Sequence, residues 1–540
     1  MKTSLPSFTT TGRGWKKTAL AAGTVAVLAM AAVPLWVTAQ EGALPAAPAT
    51  PHGVSGSSES GVSATATPLP GDASGVPTMP ATSQPIVVSP ETSAFKAPSN
   101  PDIAAASIAY TPPATPVRDA QVVRGEYLAR AGDCISCHTS PKGLPFAGGL
   151  SMDTPFGAIV STNITPDKTQ GIGQYTQEDF TRALREGKAK DGHHLYPAMP
   201  YTNFARLDDE DLSALYAYFM KGVQPATQDN AKTDLPWPFS MRWLMAGWNM
   251  LYLPGKPYQP VAAQSAEWNR GAYLVQGLGH CSACHTPRSL AGGEKASSEK
   301  DGDLFLSGAI IDGWYAQPLR NTTQPGLATW SQQELVDYLK AGRTDKTAAF
   351  GPMTEVIANS TQHMSREDLT SIAVYLKSLN GKDGSTVPVT PAPATTMTGG
   401  AVAGGPVATA LQKGDTGKVG AMVYLNNCNA CHRSDGQGAQ KAFPTLAGNT
   451  AVNAKDPTSL IRLVLQGSVM PQTATAPSPI GMPDFGWRLT DANVADVLTL
   501  VRSSWGNQSA AVTAQQVAKV RQAAGKGAAA VPVAKAGAGQ

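Results

Sequence analysis

The six cysteines of this 540-residue chain constrain its fold more than any other feature, because they fall into three copies of one motif. Each copy has the form Cys-x-x-Cys-His, which is typical of covalent c-type haem attachment: both thiols bond the porphyrin edge and the imidazole ligates iron. The motif residues are Cys134, Cys137, His138, Cys281, Cys284, His285, Cys428, Cys431 and His432. One copy would equally fit a redox dithiol, but three copies that leave no cysteine over argue against disulfides or a structural zinc site. We therefore predict three covalently bound haem c groups.

Length and charge set limits on the rest of the chain. At about 150 residues per domain, this length predicts three or four domains. The 42 basic and 39 acidic residues leave a net charge of only +3. This balance argues against nucleic acid as a partner, because phosphate binding needs a concentrated basic surface. The sequence contains neither a Gly-rich nucleotide loop nor a nucleophile paired with a base, so we expect no substrate-oxidising site and no catalytic residue of its own.

The N-terminal residues 1–40 predict export. Basic residues precede the uncharged segment Thr18–Ala39, which ends in the small-residue pattern Val37-Thr38-Ala39 that a signal peptidase could cut. The segment also meets the requirement of about 20 residues for a membrane span, with the basic residues keeping the N-terminus in the cytoplasm. We favour a retained anchor over a cleaved signal peptide, and we place the rest of the chain on the periplasmic side of the inner membrane.

Residues 41–118 predict an extended, disordered tether. They contain 14 of the 43 prolines and only two aromatic residues, so they cannot bury enough surface to fold. A tether is useful when something holds its far end, which is why we favour the anchor. An unstructured leader left after signal cleavage is the alternative.

The first two motif regions look like one unit repeated. Arg124-Gly-Glu-Tyr127-Leu128 precedes the first motif, and Arg270-Gly-Ala-Tyr273-Leu274 precedes the second. After each motif, an asparagine-containing loop leads to a helix that opens with a capping pattern, at Thr176 and at Ser331. A closing helix ends every unit, and the three closing helices are predicted to begin near Asp208, Ser365 and Thr490.

The predicted fold class is all-α with little strand: three tandem class I-like cytochrome c domains follow the N-terminal membrane or signal segment and the disordered linker. Each domain has a leading helix, a haem attachment, a wrapping loop and a trailing helix that packs back on the first. The predicted segments are cytochrome c domain 1 at 119–225, an aromatic-rich connector at 226–265, domain 2 at 266–380, a flexible linker at 381–411, domain 3 at 412–507 and a tail at 508–540 that is disordered or weakly helical.

An iron held by one histidine needs a sixth ligand, and that ligand sets function. Methionine as the sixth ligand gives an electron carrier of high reduction potential, and a second histidine gives a carrier of lower potential. An iron with an empty sixth position is typical of an enzyme. For the first haem, Met199 lies in Tyr196-Pro-Ala-Met199-Pro200, where the prolines fix an extended loop able to present sulfur. Met152 lies too close to the motif for a loop to wrap the ring, and we interpret His193 and His194 as surface or propionate contacts.

The second and third regions offer methionines in similar loops. Met353 follows turn residues in the second region, where Met364 and His363 flank the cap of the closing helix and are expected to point to solvent. In the third region, Met482 lies in the loop just before the final helix, and we favour it over Met470. Three such loops predict three six-coordinate electron carriers.

The connector is rich in aromatic residues. Leu235–Tyr252 holds three of the ten tryptophans and a single charged residue. Aromatic residues at this density suit a protein or membrane interface. The alternative is that they fill the seam between the first two domains.

Runs of residues around the motifs carry a family resemblance. They are Phe146–Leu150, Ser161–Asp167, Gly171–Gly173, Leu195–Tyr201, Tyr216–Met220, Ser240–Trp243, Phe443–Asn449 and Ser504–Asn507. From about Arg118 to Asn507 the chain resembles the triheme cytochrome c subunit of membrane-bound quinone-reducing dehydrogenases of acetic acid bacteria. The resemblance implies a cytochrome that takes electrons from a dehydrogenase subunit and delivers them to ubiquinone at the inner membrane, with Met199, Met353 and Met482 as axial ligands.

The N-terminus departs from the alcohol dehydrogenase version of that family, because an uncharged segment and a long tether replace a short signal peptide. The family serves quinoprotein alcohol dehydrogenases, flavin-dependent polyol or gluconate dehydrogenases and molybdenum-dependent aldehyde dehydrogenases. The extended N-terminus favours the molybdenum aldehyde-oxidising type as the catalytic partner. The alternatives to an electron-transfer subunit are a peroxidase-like multihaem enzyme with one open haem site and a tethered periplasmic shuttle.

Overall fold

A computed structural model of the chain describes residues 119–321, 326–380 and 405–527. The predicted membrane or signal segment at 1–40 and the predicted tether at 41–118 lie outside these residues. Within the described ranges, no helix combines the length and the apolar character that crossing a membrane requires.

The first motif region is a set of helices with one short β-hairpin. Its elements are α1 (Ala120–Ala131), α2 (Cys134–Cys137), β1 (Ser151–Thr154), β2 (Gly157–Val160), α3 (Gln177–Glu186), α4 (Tyr201–Phe204) and α5 (Asp209–Lys221). The connector that follows contributes α6 (Leu244–Tyr252). The strands β1 and β2 are antiparallel, with Ser151 opposite Val160.

The second region repeats this order. Its elements are α7 (Ala266–Tyr273), a π-helix (Leu274–Leu278), α8 (Ser282–His285), a 3₁₀ turn (Glu299–Asp301), β3 (Ala309–Ile311), β4 (Trp314–Ala316), α9 (Gln332–Ala341), α10 (Met353–Asn359), a 3₁₀ turn (Thr361–His363) and α11 (Arg366–Ser378). The strands β3 and β4 form an antiparallel hairpin, in the same place along the unit as β1 and β2.

The third region begins before its motif and ends well after its closing helix. Its elements are α12 (Pro406–Gln412), α13 (Ala421–Asn427), α14 (Asn429–His432), α15 (Thr458–Gln466), β5 (Ser468–Val469), β6 (Gly481–Met482), α16 (Asp491–Arg502) and α17 (Ala514–Gly527). Short strand pairs thus occur in all three regions, and the rest of the described regular structure is helical.

Local capping chemistry determines where several helices begin. Thr176, Ser331 and Thr490 each form a capping box, in which the hydroxyl accepts from the backbone three residues later and that residue's side chain accepts in return. The predicted starts of α3, α9 and α16 are therefore confirmed. Ser365 caps α11 through its hydroxyl, as predicted.

Glycine in the repeated Arg-Gly motif allows the leading and closing helices to cross closely. A Cβ atom on Gly125 in α1 would lie 1.9 Å from the Ala214 carbonyl oxygen in α5, and one on Gly271 would lie 1.9 Å from that of Ser371 in α11. No other residue type fits such an approach. The motif shared by the first two regions therefore fixes the same helix crossing in each.

The hydrophobic core is organised in two clusters. One combines side chains of the first region, such as Leu128 and Phe219, with side chains of the second, such as Leu274 and Leu376. The other lies in the third region, around Tyr424. The first two predicted domains therefore share a continuous apolar core.

The structure corrects two of the predicted flexible segments. The predicted linker at 381–411 contains the start of α12, where Leu411 is buried in the third-region core; residues 381–404 lie outside the described ranges. The predicted tail at 508–540 contains α17, whose Val517 is fully buried and whose Arg521 binds Asp491 at 2.7 Å. The segment is rich in alanine, glycine and lysine, and few apolar residues pack it on the core. Its composition therefore gave little indication of a stable helix.

Candidate haem centres

Each Cys-x-x-Cys-His motif forms one helical turn. The backbone N–H of His138 donates to the Cys134 carbonyl at 3.0 Å, that of His285 to Cys281 at 3.0 Å, and that of His432 to Cys428 at 2.9 Å. A turn of this kind places the first cysteine and the histidine, four residues apart, on one side of the backbone. Both thiols and the imidazole can then approach the same ring.

Each of the three motif histidines makes the same kind of hydrogen bond through its Nδ1 atom. Nδ1 of His138 donates to the carbonyl of Thr162 at 2.7 Å, and Nδ1 of His285 donates to that of Gln317 at 2.6 Å. These two carbonyls follow β2 and β4, so the repeated hairpin delivers the acceptor. In the third region, Nδ1 of His432 donates to the Pro444 carbonyl at 3.0 Å.

This contact prepares each imidazole to ligate a metal. With Nδ1 donating its proton to a carbonyl, Nε2 is the unprotonated nitrogen, and the ring is held in one orientation. Desolvation by the surrounding protein also lowers the pKa of His138, His285 and His432, which keeps the rings neutral. Sequence reasoning missed the three acceptors, because a backbone carbonyl has no residue signature.

The thiols do not resemble those of a redox dithiol. Desolvation raises the pKa of Cys134, Cys281 and Cys428 to about 12 each, whereas reactive dithiols have lowered values. Within the parts of the chain that the structure describes, no three His, Cys, Asp or Glu side chains converge as a metal-binding group. The raised pKa values of these thiols therefore differ from those of a redox dithiol.

The three predicted methionine ligands are all half-buried, and Met199 and Met482 pack against the cores of their regions. Met199 packs against the shared core at the turn before α4, and Met353 is the first residue of α10. Met482 lies in β6 and packs against the third-region core. A thioether, a neutral imidazole and two thiols are the donor set that a c-type haem requires, so the residues present fit this group at each motif.

The rival ligands have other surroundings. Met152 lies in the β1–β2 hairpin, and His193 is exposed and pairs with Asp191 at 2.5 Å. His363 is exposed, as predicted. Met364 is not: it is 3% exposed and belongs to the shared core, so its predicted solvent position is wrong.

Met470 remains the strongest of these rivals, because it lies on the same hairpin as Met482. Ser468 pairs with Met482, and the Met470 N–H donates to the Ile480 carbonyl at 3.0 Å. Residues two apart on a strand share a face, so both sulfurs lie on one side of the hairpin. Only Met482 contacts the core cluster among these two.

His194 is half-buried, and its Nδ1 has no hydrogen-bond partner. Its backbone carbonyl, however, accepts from Arg242 at 2.9 Å.

The first two attachment motifs are close neighbours. Nε2 of His280, directly before the second motif, lies 3.3 Å from the carbonyl of Gly132, which is two residues before the first motif. Burial raises the pKa of Cys137 to about 11, and the Cys284 thiol of the second motif contributes to this shift. The contact between the first two regions therefore brings two of the motifs together.

The repeated Arg-Gly-x-Tyr motif explains how this interface is held. Within each region, the arginine of α1 or α7 binds an aspartate in the first turn of the closing helix. Arg124 donates through Nε and Nη2 to Asp211 at 3.0 and 2.6 Å, and Arg270 donates through the same atoms to Asp368 at 2.7 and 2.8 Å.

The tyrosines of the same motif cross between the regions. The Tyr127 hydroxyl in the first region donates to Asp368 in the second at 2.6 Å, and the Tyr273 hydroxyl in the second donates to Asp211 in the first at 2.7 Å. Each aspartate therefore joins its own arginine to the other region's tyrosine. We call these two reciprocal contacts the tyrosine–aspartate lock.

The lock keeps the Asp368 carboxylate ionised. Burial alone would raise the pKa of Asp368, but hydrogen bonds from Arg270 and Tyr127 outweigh this effect and hold the pKa below its ordinary value. The repeated Arg-Gly-x-Tyr motif was visible in the sequence. The aspartates that its arginines and tyrosines bind, however, lie far along the chain or in the other region. Only the folded structure identifies them.

The third region packs on the second through a separate set of contacts. Arg343 in the loop after α9 donates to the carbonyls of Lys441, Ala476 and Ser478 at 3.1, 3.0 and 2.8 Å. The Tyr315 N–H donates to the Ser459 hydroxyl at 2.7 Å. The described regions thus form a series in which the second region contacts both others.

The fold and the three motif sites define a c-type cytochrome, and comparison with known proteins agrees. The model of the cytochrome c family matches residues 122–222 and 418–505, which are the first and third regions. The second region has the same motif turn, histidine contact and helix crossing as the first.

Relatives extend the match to most of the chain. A gluconate 2-dehydrogenase cytochrome c subunit of Pantoea cypripedii is 51% identical over 75% of this chain and 90% of its own length. The cytochrome c subunit of a quinone alcohol dehydrogenase of Gluconobacter oxydans is 45% identical over 75% and 82%, and the fructose dehydrogenase cytochrome subunit of Gluconobacter japonicus is 41% identical over 77% and 84%.

The chain therefore belongs to the family of cytochrome c subunits of dehydrogenases, which confirms the resemblance found in the sequence. Membership implies covalently bound haem c and a role in electron transfer. When bound, haem supplies the one-electron chemistry of its iron, while the protein sets ligation, burial and position.

Proposed function

We propose that this chain is the triheme electron-transfer subunit of a dehydrogenase complex on the periplasmic side of the inner membrane. Electrons pass from a catalytic subunit through three haems to ubiquinone. The observation that carries this proposal is the same donor set at all three motifs: a neutral imidazole oriented by a carbonyl, and one half-buried methionine downstream.

We assign the covalent bonds to Cys134, Cys137, Cys281, Cys284, Cys428 and Cys431, and the iron ligands to His138, Met199, His285, Met353, His432 and Met482. Methionine as the sixth ligand favours a carrier over an enzyme with an open site, because it fills the position that a substrate would need. The peroxidase-like alternative requires at least one of these methionines to stay away from the iron.

The donor and acceptor rest on different support. The relatives named above serve gluconate, alcohol and fructose dehydrogenases, and one of them is described as quinone-linked. They support a dehydrogenase as donor and a quinone as acceptor. The N-terminal segments of the sequence favour a molybdenum aldehyde dehydrogenase over the quinoprotein and flavin types.

The first experiment purifies the full chain from membranes in mild detergent and identifies what accompanies it. We expect a catalytic dehydrogenase subunit, and we expect its substrate to reduce all the haem and, through it, a ubiquinone analogue. If the chain purifies alone and the reduced protein turns over peroxide rapidly, the protein is an enzyme and not an electron carrier. If the chain purifies without a dehydrogenase subunit and does not turn over peroxide, the tethered periplasmic shuttle is the correct alternative.

The second experiment tests the ligands. Replacing Met199 or Met353 by alanine should lower the reduction potential of one haem and open its iron to carbon monoxide. Met152→Ala is the matched control, because this half-buried methionine lies in the β1–β2 hairpin. Unchanged potentials and no carbon monoxide binding in Met199→Ala would refute that assignment.

A further inference from the structure

Helix α6 of the connector is apolar on both of its faces. Its inner face packs Leu244 and Trp248 into the protein, while Trp243 just before it is 60% exposed and Met250 and Leu251 in its last turn are 88% and 65% exposed. A helix that is apolar all round is normally covered on every side. Within the described residues, the outer face of α6 has no such cover.

Two further exposed side chains extend the surface. Trp237 lies on the turn before α6 and is 79% exposed. Leu290 is 87% exposed and lies between two residues tied to α6: Ala291 accepts from the Trp248 indole at 2.9 Å, and Ser289 bonds the Tyr252 hydroxyl at 2.8 Å. We call Trp237, Trp243, Met250, Leu251 and Leu290 the apolar patch.

The helix presents no polar side chain to the outside. Asn249 accepts from the Tyr201 hydroxyl at 2.8 Å and donates to the Glu186 carbonyl at 3.1 Å. Tyr252 is engaged by Ser289. A docked protein would have to bury its own polar groups against this face without partners, since protein interfaces rely on about one hydrogen bond per 100–200 Å². Lipid acyl chains require none.

Charge favours a bilayer as well. No acidic residue occurs between Asp234 and Glu267, although the chain as a whole is nearly balanced, and Arg242 and Lys256 lie in this stretch. Anionic phospholipid attracts basic segments and repels acidic ones. Exposed tryptophans are the residues that settle at the boundary between headgroups and acyl chains.

We propose that the apolar patch is the surface through which the chain rests in the outer part of an anionic phospholipid bilayer. The inference deepens the proposed function and rests on it only in placing the chain at a membrane. Amphipathic surfaces of this kind bury their apolar side chains about 5–10 Å into the boundary region.

The helix that carries part of the patch, and the turn before it, pack on the loop that carries Met199. The Trp248 and Tyr201 rings pack edge to face at 6.1 Å, and the Arg242 guanidinium lies 4.4 Å from the Tyr196 ring centre. Resting on the bilayer through this patch places the first motif region next to the membrane, where a membrane-dissolved quinone arrives.

Radical footprinting tests the surface. The full-length haem-loaded chain, without a dehydrogenase, is reconstituted into vesicles of phosphatidylethanolamine and phosphatidylglycerol and exposed to hydroxyl radicals. We expect Trp243 and Met250 to oxidise at least tenfold more slowly than Trp487, which is 78% exposed in the third region. Rates within twofold of that of Trp487 would overturn the proposal. Protection that appears only after a dehydrogenase subunit is added would also overturn it and identify a protein interface.

A variant pair provides a second readout. Met250→Glu combined with Leu251→Glu should slow reduction of long-chain ubiquinone in the vesicles at least fivefold and leave reduction of a water-soluble short-chain quinone unchanged. Trp487→Glu should change neither rate. Equal loss with both quinones would refute a docking role. If the unaltered complex reduces no quinone at all, the proposed function fails. The footprinting experiment would still test whether the apolar patch contacts the bilayer.

Discussion

The tyrosine–aspartate lock leads to a quantitative prediction about how the first two regions hold together. In Tyr127→Phe the ring stays in place and only the hydroxyl is removed. That hydroxyl donates to Asp368 at 2.6 Å and accepts from the Ser365 N–H at 3.2 Å. The perturbation therefore deletes two hydrogen bonds between regions and leaves the packing intact.

The expected cost follows from the charge of the acceptor. A hydrogen bond to a charged group contributes about 1.5–3 kcal/mol, and a neutral one about 0.5–1.5 kcal/mol. Because Asp368 keeps its arginine, we expect Tyr127→Phe to lower the free energy of unfolding by about 1.5–3 kcal/mol. Tyr273→Phe removes the equivalent pair, to Asp211 at 2.7 Å and from the Asp208 N–H at 3.3 Å, and should cost the same.

Guanidinium unfolding of the haem-loaded chain, followed by helical circular dichroism, measures the change. Tyr216→Phe is the matched control, because its hydroxyl donates to the Tyr175 carbonyl at 2.9 Å within the first region. It should cost less than either lock variant. A loss in Tyr127→Phe no larger than that of the control would show that the lock contributes nothing to the domain interface.

Three further predictions concern the iron ligand, the helix crossing and a buried carboxyl. Met482→Ala should lower the potential of one haem and allow carbon monoxide binding, whereas Met470→Ala should leave the redox titration unchanged; the reverse result would exchange the two assignments. Gly125→Ala should lower the free energy of unfolding by about 1–3 kcal/mol or more, because the new Cβ would lie 1.9 Å from a carbonyl oxygen. Gly255→Ala is the control, because a Cβ at that position would meet no atom within 4 Å. Equal unfolding midpoints for the two variants would contradict the close helix crossing. Burial raises the pKa of Asp133 to about 7, so this carboxyl ionises as pH rises through neutrality and its negative charge then favours the oxidised, more positive haem. The first haem's potential should therefore fall with rising pH by no more than about 59 mV per unit, and Asp133→Asn should remove that slope in a redox titration at several pH values.

Local patterns predicted the parts of the fold that depend on nearby residues. The capping boxes at Thr176, Ser331 and Thr490 involve a residue and the one three positions later, so a short sequence window contains both partners. The motif turns are equally local. The tail after Asn507 was predicted only as disordered or weakly helical for the opposite reason: the stability of its helix comes from packing on α15 and α16, not from its own composition.

The candidate sites divide in the same way. Cysteine and histidine spacing predicted the attachment positions without any structure, and loop composition selected Met199, Met353 and Met482 as the predicted sixth ligands. The carbonyls that orient the imidazoles could not be found in this way, because any residue can supply one. Met364 was misplaced because its position beside a helix cap carries no information about which neighbour covers it.

By itself the sequence determined three Cys-x-x-Cys-His motifs, which predict three haem attachments, together with a repeated helical unit and the family to which the chain belongs. These depend on residue identities at fixed short spacings. Only the tertiary structure decided how the units meet, through the exchange of Tyr127 and Tyr273 between regions and the apolar patch beside the Met199 loop. Such contacts join residues far apart in the chain, and their energies exist only once packing has brought the partners together.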